Sequence, residues 1–207
     1  MTTRRAVIQA GVALAAATGA GAGALGSALR SSHALQFYRV AYDGRFVAAR
    51  SFAAAVRELG GQTHDTEGDI TSFWYRDLYH RWRSQPAAVA GMTTFDALLG
   101  LSMMASGAGL RVIFRAHHHL DRQPTTHEFF GPVAVLRGLN PLPRSERGWG
   151  GAVADLLMRW PATALAVARP ASTYLDAARS GVAAESLVSW IIAPHRRGQR
   201  LNGVSAV

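Results

Sequence analysis

The 207-residue chain contains no cysteine and no lysine. Without thiols it can form no disulfide and no Cys-ligated zinc, haem or iron–sulfur centre. Its stability must come from a packed core, and any metal must be held by histidine and carboxylate. Acidic residues are also sparse, 13 against 22 basic ones, all of them arginine. The arginines are scattered and form no stripe interleaved with aromatics, which argues against nucleic acid as a partner. Past the first 34 residues no run of 18 apolar residues occurs, so no second membrane span is expected. The usual nucleotide loops are missing too. Asp43-Gly44-Arg45-Phe46, after the first predicted strand, holds a single glycine, and no Walker-type loop follows anywhere. There is no HExxH and no G-x-S-x-G elbow, since Ser102 falls inside a predicted helix.

What is present begins at the N-terminus. Thr3-Arg4-Arg5 precedes a weakly apolar stretch, rich in Ala and Gly, that runs to Leu29 without an acid. Ser32-His33-Ala34 then offers small residues at −3 and −1, which places a cut after Ala34; Ala28 is the alternative. This segment resembles the twin-arginine (Tat) export signal of bacteria, with Thr3 in the Ser/Thr slot. Val7 stands where that pattern prefers Phe, and Gln9 where Lys is common. The resemblance implies export of an already folded protein to the periplasm. It covers residues 1–34 only. A retained signal would instead tether the chain to the membrane. Residues 35–207 are enough for one domain, and they carry 19 basic residues against 13 acidic ones.

Along that domain, strands alternate with helices. Phe37–Tyr42 is a short apolar run with aromatics and predicts a strand. Over 44–59, Ala48, Phe52, Val56 and Leu59 recur at helical steps, and Gly60-Gly61 closes the helix. A polar strand follows over 62–67. A second helix runs from an Asp69 N-cap to about Arg83, with Ile70, Phe73, Trp74, Leu78 and Trp82 on one stripe. Residues 87–91 form a buried-type strand, and a third helix starts at Thr93 with Asp96 completing a capping box. Leu110–Ala116 is the clearest strand. His127–Phe130 runs back antiparallel after a turn at 121–124. Residues 140–147 are a Pro-rich loop, 151–160 a helix, 162–169 helix or strand, and 186–193 a final strand. The expected class is a three-layer α/β fold: a mostly parallel βαβαβαβ sheet with helices on both faces and an antiparallel addition in a less regular C-terminal part.

In such a sheet ligands sit beyond the carboxyl ends of the strands. That edge would collect Asp43 and Arg45, then Glu67 and Asp69, then Thr93 and Thr94, and finally His117, His118 and His119. The turn Gly91-Met92-Thr93-Thr94 would aim backbone N–H groups at an anion. On a strand, His117 and His119 face one way and His118 the other. His117 and His119, with His127 and Glu128 across the hairpin, would make a nitrogen–oxygen transition-metal site. Asp65, Glu67 and Asp69 alternate and could act as paired carboxylates, or simply cap and solvate a loop. Phe73, Trp74 and Trp82 are expected in the core, with Tyr75 and Tyr79 on another face, available to a partner.

Two functions follow as expectations. The first is a non-catalytic periplasmic protein that binds a small anionic ligand through Asp43, Arg45, Asp69, Thr93 and Thr94, or serves as accessory subunit of an exported redox enzyme. The alternative is a small metal-dependent enzyme built on His117, His119, His127 and Glu128.

Overall fold

In the computed structural model, residues 34–120, 125–137, 139–166, 170–175 and 186–194 are described. The signal-like segment and the 121–124 turn lie outside them. The described elements belong to one compact unit, His33–Val207.

Seven strands form one sheet in the order β2-β1-β3-β7-β4-β5-β6. They are β1 (Phe37–Tyr42), β2 (Thr63–Asp65), β3 (Ala88–Thr94), β4 (Leu110–His119), β5 (Thr126–Pro132), β6 (Pro170–Leu175) and β7 (Ser186–Pro194). β1 pairs parallel with β2 and β3, and every other pairing is antiparallel. The amino-terminal strands are therefore parallel as expected. β3 and β4, although they run the same way, never touch: the last strand, β7, enters between them and bonds to both.

Helices cover both faces. On one face lie α1 (Val47–Glu58) and α5 (Glu146–Met158), whose Phe52, Val56, Trp149, Val153 and Leu157 meet Val40, Ala90, Phe114 and Ile191 of the sheet. On the other lie α2, continuous over Thr71–Phe73, Trp74–Leu78 and Tyr79–Ser84, and α3 (Phe95–Gly107). A short α4 (Val133–Leu136) and a 3-10 turn (Ala162–Ala166) complete the described helices. The chain moves outward from β1 to β2 through α1, then back across to β3 through α2. Right-handed crossovers require those two helices to sit on opposite faces, and they do.

Local chemistry explains the element ends. At the end of α1, Gly60 takes φ +83°. Its N–H reaches the Arg57 carbonyl (3.0 Å) and that of Gly61 the Val56 carbonyl (2.8 Å), the paired bonds of a Schellman stop, which favours glycine. α5 begins five residues before the expected start because its glycines hide it: a Cβ on Gly150 would lie 2.3 Å from the Ala48 carbonyl oxygen. Those glycines cost helix propensity and permit the close approach of α1 and α5. Within α2 the Trp74–Leu78 turn is a π-helix, a local widening found disproportionately at functional sites.

Candidate functional site

The carboxyl ends of β1, β2, β3 and β4 point toward one edge, as their pairing directions require. The chain departs from β1 to one side and returns to β3 on the other. Their shared carboxyl edge is thus the topological switch point, where open α/β sheets hold ligands.

Asp43 stands at this point. Its N–H donates to the Met92 carbonyl at 3.0 Å, tying the β1 end to β3. Its carboxylate is buried and accepts from Arg45 Nε (2.9 and 3.2 Å), Arg45 Nη2 (2.7 Å) and the Arg45 backbone N–H (3.2 Å). The fork-to-fork geometry holds the guanidinium firmly, yet the Arg45 side chain is 57% exposed. Beneath it is Gly68 at φ +86°, where a Cβ would come within 2.4 Å of Arg45 Cζ. Asp43 therefore anchors the Arg45 guanidinium, and Gly68 leaves the room it occupies.

Asp65 is beside this pair and is structural. Burial pushes its pKa up, but hydrogen bonds from the Glu67 and Gly44 N–H groups and the Tyr42 hydroxyl outweigh that and bring it below the ordinary carboxylate value. The two backbone bonds are 3.0 and 2.9 Å. Asp69 does what its position predicts, accepting the Thr71 N–H at 2.8 Å at the start of α2. Hydrogen bonding from Thr71 lowers its pKa. It is engaged as a cap.

The reading of Thr93 as a cap is corrected. Gly91, Met92, Thr93 and Thr94 are the end of β3, paired with Trp190, Ser189, Val188 and Leu187 of β7. Their backbone is committed to the ladder and is no anion-binding turn. Thr93 is buried; its hydroxyl accepts the Trp190 indole N–H at 3.0 Å and donates to the Thr94 carbonyl at 3.1 Å. The residue at the N-cap of α3 is Thr94, with no side-chain capping bond. Partly exposed, it borders the switch point.

The four-residue metal set is corrected as well. The alternation holds: His117 and His119 stack with ring centroids 6.5 Å apart on one face. Glu128 pairs with His117 across the β4–β5 ladder, which gives it the same face. His127 pairs with His118 and lies on the opposite face, so one ion cannot reach all four. Among the described residues no group of three or more His, Asp or Glu side chains could hold a metal. Desolvation, then the nearby Arg115, lowers the His117 pKa, despite Glu128.

The opposite face carries a cluster that sequence reasoning missed. His118 Nδ1 and His127 Nδ1 are 2.8 Å apart, and His118 Nε2 is 2.9 Å from Ser189 Oγ. Trp149 of α5 stacks on His118 (4.5 Å, 29°) and meets His127 edge-on (5.0 Å, 62°). His118, Ser189 and Trp149 are wholly buried. Burial above all, then His127, drives the His118 pKa well below its ordinary value, so the ring is neutral and its two nitrogens divide donor and acceptor roles. Ser beside His resembles a nucleophile and its base, but Ser189 sits mid-strand between Met92 and Ala116. Strand backbone on both sides is spent on the ladder, which leaves no oxyanion donors. The cluster is a hydrogen-bonded part of the core. A sequence signal for it existed: a hairpin turn between His118 and His127 sets the two opposite each other.

No protein-family model matches the chain, and neither the curated proteins nor the solved structures contain a match to it. Among the described residues no helix is long and apolar enough to cross a membrane.

Proposed function

We propose that this is an exported, non-catalytic protein that binds a small anionic ligand at the β1–β3 switch point. The observation that carries the reading is Arg45: a guanidinium fixed from below by buried Asp43 and more than half exposed above. An anchored guanidinium loses little freedom when it pairs with a carboxylate or phosphate. Thr94 supplies a hydroxyl from the neighbouring strand end. Of the other polar groups at this edge, Asp65, Asp69 and Thr93 are engaged in structural bonds, which supports binding over catalysis. Export rests on Thr3-Arg4-Arg5 and the stretch that follows.

Calorimetry of the purified protein against phosphate, sulfate and small carboxylates tests the binding. At least one anion should bind, and Arg45→Gln should weaken it about tenfold or more, the effect of one charge-assisted contact. Equal affinity in the variant would end this reading. An Arg4→Lys/Arg5→Lys variant should fail to reach the periplasm.

A role as accessory subunit of an exported redox enzyme is favoured by a separate observation. Tyr75, Leu99 and Met103 are large apolar side chains that are exposed on α2 and α3. Affinity purification from the exporting cell, with Met103→Glu as control, tests it.

A further inference from the structure

At the opposite, amino edge of the sheet two irregularities meet. β1 is bulged between Phe37 and Arg39 where it pairs with β3. The extra residue puts consecutive side chains on one face, because Tyr38 and Arg39 both reach Asp77. Asp77 lies in the π-helical turn of α2. Its carboxylate accepts the Tyr38 hydroxyl at 2.5 Å and Arg39 Nε at 3.3 Å. Beside them opens a cavity of about 460 Å³, lined by Leu35, Phe37, Tyr38, Arg81, Pro86 and Ala88, among others. That volume is in the range of small-molecule sites.

Among the described residues Arg81 is the one charged group lining this cavity. Its guanidinium lies over the Tyr38 ring, 4.7 Å from the centroid. Its Nε is buried without a hydrogen-bond partner, and none of the ion pairs among the described residues includes it. The carboxylate that could serve it, Asp77, is taken by Tyr38 and Arg39. A buried donor left unpaired is costly, and a guanidinium that lies over an aromatic ring still has N–H groups to offer an anion.

We propose that this cavity binds a small organic carboxylate, its carboxyl group paired with Arg81 and its apolar body on Leu35, Phe37 and Pro86. The site is separate from the switch point and does not rest on the function proposed above.

Calorimetry of the full protein with octanoate, octylamine and inorganic phosphate tests it. Octanoate should bind and octylamine should not. Arg81→Gln should weaken octanoate about ten- to a hundredfold, the loss of a charge-assisted contact. In the native protein the Arg81 Nε–H resonance should shift on addition of octanoate, a readout that stands if the variant does not fold. No octanoate binding, equal affinity in the variant, an unmoved resonance, or phosphate binding as tightly at Arg81 would each overturn the proposal.

Discussion

The parallel and antiparallel halves of this sheet bury polar groups in different ways. In the parallel half, Asp43 is buried with a charged partner whose far side reaches solvent. In the antiparallel half, His118, His127 and Ser189 are buried as a chain of hydrogen bonds under Trp149, and no carboxylate is among the causes of the His118 shift. One half keeps a charge because water remains within reach; the other must remain neutral. Exposed charge suits recognition of a ligand, whereas a neutral, dry network suits the holding together of strands.

The largest expected effect comes from uncovering the neutral network. Trp149→Ala removes the side chain packed against both rings and should cost about 3–5 kcal/mol in urea unfolding. A loss under 1 kcal/mol would mean that the cluster tolerates water, and the contrast between the halves would vanish. Next is Asp43→Asn, which keeps the shape and removes the charge. It should cost about 2 kcal/mol, moderated by the exposure of Arg45.

Acid gives a second test of the neutral network. His118 has a folded pKa below its unfolded one, so the unfolded chain takes up the proton first. Its contribution to stability is complete above the ordinary histidine pKa, about 6.5, and is lost as pH falls below it. His64 and His117 are lowered too, both chiefly by burial, and add in the same direction. Unfolding measured from pH 7.5 to 5 should show falling stability, with a shallower slope in His118→Gln. An unchanged slope in that variant would place the acid sensitivity elsewhere. The smallest effect should be that of Asp69→Ala. It removes a cap and should leave the anion affinity at Arg45 untouched; a clear loss of affinity would return Asp69 to the site.

Strands and helices with strong periodicity were legible in advance. β1 falls where its apolar run predicts, α1 carries its buried Phe52 and Val56, and β5 runs back along β4. Neighbours were not legible. Leu187–Ile192 is a buried-type run whose composition is the same whether its partners are parallel or antiparallel, and nothing local says that it fills the centre. That placement decides the role of Thr93: β3 extends to Thr94 because β7 is there to pair with it. β6 opens on Pro170 and continues with small and polar residues, a weak strand pattern that an edge position tolerates. At the site, Asp43 and Arg45 were visible as the first polar residues after a strand. The His118–His127 contact was not, because it depends on the register across the hairpin, which alternation within β4 alone leaves open.

The central position of β7 has a consequence for how the molecule is made. Val89 and Ile192, paired in the sheet, are far apart in the chain, and closing so long a loop is slow. Until the stretch to Pro194 has been synthesised, β3 and β4 each present an unpaired edge, and the sheet is two incomplete halves. A chain that stops before Ser186 lacks more than its tail, because it has no centre. The sheet is therefore closed only once β7 has been made, and a product shortened before it exposes strand edges that invite aggregation.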